Sequence, residues 1–293
     1  MDHVTHPHTP ARDHAPRPGA HDYGGAKHRV GCVSFLNSKP LIDPLLARPD
    51  VRIEFAVPSR LLEWVETDRV STALLSVVDF QLARHDLLLV PAGMIGCDGP
   101  TLTVRVFSRV APERIREIHG DTDSHTSVVL ARLILQERYG NRAPLVPFAD
   151  AARRTQQDAP ETMLLIGDKV VNAAPDAALY PHQLDLGEEW KHLTGLPFVF
   201  AMWMMRRDQQ STELAALLAA ARRRGADMTD DLVRRYAQEK RWPPELARRY
   251  FTEFLRYEVT DRARAGLARF FDMADRAGLV PRRRELAYLD IPA

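Results

Sequence analysis

Residues 121–127, DTDSHTS, carry hydroxyls and carboxylates on short side chains, and they run directly into the apolar-spaced stretch VVLARLILQ. Asp, Ser and Thr at such a junction accept hydrogen bonds from the first free N–H groups of a helix. The spacing therefore predicts a helix whose first turn lies at Ser124 to Ser127. A helix start leaves backbone N–H donors and the positive end of the macrodipole unpaired, and the hydroxyls of Ser124, Thr126 and Ser127 add further donors. That chemistry seats a carboxylate or a phosphate. An ordinary capped helix has the same residues, so this segment decides nothing alone.

The other elements have to supply a cleft for that helix start. HRVGCVSF reads as a strand ending in the polar turn LNSKP, with a short helix in LIDPLLA and a second strand in VRIEFAV. PSRLLEWVETDRV suits an amphipathic helix, with Leu61, Leu62 and Val65 as its apolar positions, and ALLSVVDF a buried strand passing into a turn. LLLVPAGMIG and LTVRVFS are strands separated by CDGPT. Gly140 ends the helix begun at Ser124, a short strand follows near Pro144 to Phe148, and TMLLIGDKVV is a strand that stops at Gly167–Asp168. A short helix, a Gly-Leu-Pro break and a strand over Phe198 to Met204 come next; 211–224, 228–241, 243–257 and 259–278 are helical.

Strands alternating with helices over residues 28–205 imply an α/β protein with mainly parallel sheets. LTVRVFS and FVFAMWM are the candidate pair that crosses between two lobes. The expected division is a disordered leader (1–27), lobe one (28–105 plus 203–293, including the helical C-terminal segment packed on it) and lobe two (106–202). Ligands of such sheets sit in the crevice outside the carboxyl ends of the strands. The turns LNSKP, LLSVVD, GPTLT, DSHTS and IGD all fall at such positions, and their convergence on one cleft is the expectation.

Bulk properties exclude several classes. The 293 residues carry 40 basic and 39 acidic side chains and a net charge of +1, so no basic field invites nucleic acid. Cys32 and Cys97 lack metal-ligand spacing and fit a reduced, cytoplasmic protein. No run of 18 apolar residues is present to span a membrane. The His-rich leader lacks the apolar core of a secretory signal. No G-x-S-x-G, H-E-x-x-H, Walker A or G-x-G-x-x-G pattern occurs. Taken singly, Asn37 is a turn former, Thr103 a strand residue, and Trp190 and Trp203 core side chains.

In order, VGCVSFLNSKPL, ALLSVVDFQ, IGCDGPTLTVRVFS, DTDSHTSVVLARLILQERYG, LLIGDKVV and DLGEEWKHLTGLPFVFAMW resemble the chorismate dehydratases, menaquinone-biosynthesis proteins of the futalosine route. The likeness extends weakly through YEVTDRARAGLARFFDMADRAGLV and covers nearly everything after the leader. It implies a two-lobed type II periplasmic-binding-protein-like fold used by a cytoplasmic lyase, which dehydrates chorismate to 3-[(1-carboxyvinyl)oxy]benzoate. Carried position by position, it implies Asn37 and Thr103 as catalytic residues. Ser38, Ser76, Ser124, His125, Thr126, Ser127 and Asp168 are then the expected substrate-binding residues. The expected partner is the small molecule chorismate, with no metal, cofactor, nucleic acid or membrane, and a homodimer is left open. His125 stands where the family commonly has arginine, Thr103 where it has serine, Asp79 where it often has glutamate and Ser71 where it has aspartate. Rival readings are the sister enzyme that forms 1,4-dihydroxy-6-naphthoate, a transporter's solute-binding protein, and a ligand-sensing domain.

Overall fold

The computed structural model describes residues 25–120, 124–148, 159–281 and 283–291. Of the expected leader, only residues 25–27 are among them. The described chain starts with β1 (His28–Cys32), a 3₁₀ turn over Leu36–Ser38 and α1 (Lys39–Ile42). β2 (Val51–Phe55), α2 (Pro58–Glu66), β3 (Thr72–Ser76), α3 (Asp79–Leu82) and the long β4 (Leu87–Cys97) complete the first run. Pro58 opens α2 at a position whose N–H would have no partner inside the helix, and Leu61, Trp64 and Val65 bury its inner face.

A second run builds a separate sheet. It contains β5 (Val104–Ser108), β6 (Ile118–Gly120), α4 (His125–Tyr139), β7 (Leu145–Pro147), β8 (Thr162–Ile166), α5 (Lys169–Asn172), β9 (His182–Asp185) and α6 (Leu186–Thr194). β10 (Phe198–Arg206) then returns to the first sheet, and α7 (Thr212–Asp227), α8 (Thr229–Tyr236) and α9 (Pro244–Arg249) follow. A π-helical turn over Tyr250–Phe254 and α10 (Asp261–Arg276) come last. The periodicity over 243–257 gave one helix there; the structure divides it at Tyr250.

The sheets have strand orders β2-β1-β3-β10-β4 and β7-β6-β8-β5-β9. The expectation of mainly parallel sheets needs correction. β1 runs parallel to β2 and β3, and β6 to β7 and β8, but β10 is antiparallel to β3 and β4, and β5 to β8 and β9. Parallel neighbours need a crossover that brings the chain back to the same end of the sheet. β5 and β10 instead arrive directly from the other lobe, so each enters its sheet running the opposite way. Neither strand spans the two lobes: β5 lies wholly in the second sheet and β10 wholly in the first. The chain crosses at residues 98–103 and 195–197, which puts Val104 and Arg105 with the second sheet and Phe198 to Met202 with the first.

β3 and β8 are buried at all five of their residues, as central strands covered on both faces must be. The C-terminal helices pack on the first sheet, α7 against α1 and β4, and α10 against β10. At the α7–α1 contact a Cβ on Gly225 would lie 1.8 Å from the Pro40 carbonyl oxygen, so no larger residue fits. Both cysteines are free and buried, and burial pushes the Cys32 thiol up to about 12, which leaves it inert at neutral pH.

Candidate active site

A cavity of about 610 Å³, counted to its open mouth, lies between the two sheets. β1 and the turn after it contribute Phe35 and Asn37, β3 ends in Ser76, the first crossing segment adds Thr101 and Thr103, and β8 runs into Ile166 and Gly167. Ser124 and Ser127 come from the start of α4, Phe200 and Ala201 from β10, and Tyr250 from the C-terminal segment. The strand-end turns thus converge, because both sheets aim their carboxyl ends at the same gap.

Ser124 is the N-cap of α4, and its oxygen accepts from the Ser127 N–H at 3.3 Å. Ser124 and Ser127 hydroxyls lie 3.0 Å apart, and Ser76 Oγ lies 3.4 Å from Ser124 Oγ. The N–H of Thr126 donates to Ser76 Oγ at 3.2 Å. Two of the free N–H groups expected at this helix start are therefore satisfied by serine oxygens. What faces the cavity is a cluster of three hydroxyls at the positive end of the helix.

Asn37 and Thr103 are held by groups from the C-terminal segment. Thr103 Oγ1 and the Tyr250 hydroxyl are 2.6 Å apart, and both residues are buried. The Asn37 carbonyl accepts from the Tyr257 hydroxyl at 3.0 Å, while Asn37 Oδ1 is buried without a partner. Tyr250 stacks on Trp242, with centroids 4.7 Å apart and planes at 27°. Burial raises its phenol far above the ordinary tyrosine value, against hydrogen bonds from Thr103 and Asn37 that lower it.

The loop carrying Thr103 is fixed from the second lobe. Asp185 accepts from the N–H groups of Thr101 (2.9 Å) and Leu102 (2.8 Å) and also caps α6 through Gly187 and Glu188. Gly187 lies so close to this loop that a Cβ would meet Gly99 O and Cys97 Sγ at 2.6 Å. Trp190 of the same block donates to Pro197 O at 3.1 Å and packs edge-on against Phe198. The DLGEEW and TGLPF residues thus build the two crossings.

A family model described as menaquinone biosynthesis matches residues 28–276. The chain belongs to that family. A chorismate dehydratase from Thermus thermophilus is 28% identical over 261 residues, covering 82% of this chain and 93% of that protein. Among solved structures, protein AF1704 from Archaeoglobus fulgidus has a TM-score of 0.66 at 16% identity, over 86% of this chain and 98% of the other. The alkanesulfonate-binding protein SsuA from Xanthomonas axonopodis pv. citri, bound to MOPS, has a TM-score of 0.61 at 15% identity, over 88% and 95%. The fold is that of the periplasmic binding proteins: two α/β lobes with a helical C-terminal segment.

In this member of the menaquinone biosynthesis family, the cavity gathers Asn37, Ser76, Thr103, Ser124 and Ser127, and the remaining expected site residues lie outside its lining. Ser38 is fully buried and donates to the carbonyls of Val33 and Phe35, both at 2.9 Å, locking the LNSKP turn. Thr126 Oγ1 accepts from the Val78 N–H at 3.1 Å, joining α4 to the turn after β3. Asp168 Oδ1 accepts from the Leu36 N–H (3.3 Å) and Trp242 Nε1 (3.1 Å), and burial pushes its carboxyl up. His125 Nδ1 sits 2.5 Å from Oδ1 of the unexposed Asp79. That contact raises the imidazole, and burial raises the carboxyl. Thr126, Asp168 and His125 thus hold one lobe against the other instead of facing the cavity.

Tyr250 is the residue that sequence reasoning missed. ELARRYFTEFL has the spacing of an amphipathic helix, and nothing in it announces a side chain turned toward a distant strand end. Among the described residues, no group of three or more His, Cys, Asp or Glu is placed to hold a metal, and no helix is long and apolar enough to cross a membrane.

Proposed function

We propose that this protein is a cytoplasmic lyase that removes water from chorismate to give 3-[(1-carboxyvinyl)oxy]benzoate. The observation that carries the proposal is the meeting of Asn37, Thr103 and the hydroxyl-lined start of α4 in one cavity. Family membership and the dehydratase of Thermus thermophilus support it. Chorismate carries two carboxylates, and one seated at the start of α4 gains roughly 0.3–1 kcal/mol from the helix dipole, more when desolvated.

A proton leaves C3 and hydroxide leaves C4, and the ring becomes aromatic. Such an elimination asks the protein for positioning and for hydrogen bonds to the departing oxygen. Asn37 and Thr103 hold the C4 hydroxyl and the enolpyruvyl end, and the substrate's own side-chain carboxylate accepts the C3 proton. A site of amides and hydroxyls without a strong base suits this division of labour.

The test is to incubate purified protein with chorismate and follow the aromatic product by chromatography. Turnover supports the dehydratase, binding without turnover supports a sensing or solute-binding role, and the absence of both turnover and binding points to the sister enzyme. Asn37→Ala lowers turnover at least about a hundredfold, equivalent to ~2.7 kcal/mol of transition-state stabilisation. Undiminished turnover in that variant removes Asn37 from the chemistry.

A further inference from the structure

We infer that Tyr250 is a further catalytic residue: together with Thr103 it presents one O–H to the C4 oxygen as that oxygen departs. The inference rests on the proposed dehydration of chorismate. Two hydroxyls 2.6 Å apart own two protons between them, and only one can lie in the bond that joins them. If Tyr250 donates to Thr103, the threonine proton is left over; if Thr103 donates, the phenol proton is. Both residues line the cavity, so the spare proton has the substrate as its partner. Asn37 lines the same cavity, and its Oδ1 remains a buried acceptor without a donor. A substrate hydroxyl placed here donates to Asn37 Oδ1 and accepts from the Tyr250–Thr103 pair.

The surroundings fix this hydroxyl in place. Tyr250 opens a π-helical turn, a geometry that recurs at functional sites because the extra residue re-aims side chains. The ring is clamped against Trp242 and only 1% exposed, so no bulk water competes for its hydrogen bonds. The phenol, kept protonated by burial, acts as a donor and not as a base. In the step itself, the C3–H electron pair becomes the C3–C4 π bond, and the C4–O bond breaks with its pair on oxygen. The departing hydroxide takes a proton from the hydroxyl pair. The pair regains one from the side-chain carboxylic acid that received the C3 proton, and water is the net loss. The hydrogen bond strengthens as charge gathers on the leaving oxygen, which is the condition for lowering the barrier instead of merely binding substrate.

Tyr250→Phe keeps the ring and its stack on Trp242 and deletes the hydroxyl. Steady-state kinetics should show kcat down about thirtyfold to a hundredfold with KM within about threefold of wild type. Combining it with Thr103→Val should cost no more than the worse single variant, because the two hydroxyls act as one donor. A purely structural tyrosine would instead change KM and melting temperature together. Site-specific replacement of Tyr250 by trifluorotyrosine, which preserves the packing and lowers the phenol pKa, should move the alkaline limb of the kcat profile to lower pH. Wild-type kcat in Tyr250→Phe, or an unmoved limb with trifluorotyrosine, overturns the inference while leaving the dehydratase proposal standing. Wild-type protein that does not turn over chorismate removes both.

Discussion

At the scale of single residues, the site depends on which side chains keep a polar atom facing the cavity. Thr103 stands where the resembled family has serine, and its Oγ1 still reaches the Tyr250 hydroxyl at 2.6 Å. The methyl is therefore incidental to that contact. Thr103→Ser should retain kcat within about threefold, whereas Thr103→Val, nearly the same shape without the hydroxyl, should lose about tenfold to a hundredfold, or ~1.4–2.7 kcal/mol. Product formation from chorismate measures both, and equal activity in the two variants would show that the hydroxyl is dispensable. Asn37 and Thr103 were reached through the family resemblance, because taken singly the one reads as a turn former and the other as a strand residue. Ser38 looked identical to them on paper. It differs because the 3₁₀ turn directs its hydroxyl back onto two carbonyls of its own loop. Tyr250 was illegible for the opposite reason, since the signal that aims it is a backbone irregularity inside a helical pattern.

At the scale of elements, the start of α4 has two jobs, and they are separable. Ser124 caps the helix and lines the cavity, while Thr126 and His125 tie the same turn to β3 and α3. Ser124→Ala should cost about 1 kcal/mol of stability by removing the cap, read from urea unfolding, in addition to any loss of substrate affinity. The His125–Asp79 contact should make stability pH-dependent. The folded imidazole is raised above its ordinary 6.5 by its bond to Asp79, so its stabilisation is complete below about pH 6.5 and disappears as pH rises through the higher folded value. Asp79, raised above 3.8 by burial, acts in the same sense. The melting-temperature advantage of wild type over His125→Gln should therefore shrink between pH 6 and pH 9; an advantage that grows would refute the assignment. The helix and its cap were readable from DTDSHTSVVL because both are local. The antiparallel entry of β5 and β10 was not, since strand direction is set by where the chain comes from and not by the residues in the strand.

At the scale of the whole molecule, binding requires the two lobes to meet, and the structure shows what joins them on each side of the cavity. On one side the α4 start holds the β3–α3 turn. On the other, Asp168 at the end of β8 accepts from the Leu36 N–H and from Trp242, both belonging to the first lobe. Trp242 also supports Tyr250, so this second contact couples lobe closure to the catalytic hydroxyl. The two-lobed plan was legible from the order of strands and helices. The clasp was not, because Asp168 pairs with residues 132 and 74 positions away. Removing the carboxylate should weaken closure without unfolding either lobe, since each sheet keeps its own strands and the buried apolar cluster that joins them is untouched. Asp168→Ala is therefore expected to raise KM about tenfold, with a smaller fall in kcat, and to enlarge the radius of gyration in small-angle scattering. Gly225→Ala is the control: its Cβ would collide with Pro40 O inside the first lobe, so it should lower the melting temperature while leaving KM unchanged in the folded fraction. If Asp168→Ala behaves like Gly225→Ala, losing stability but not affinity, then Asp168 is a packing element and closure does not depend on it.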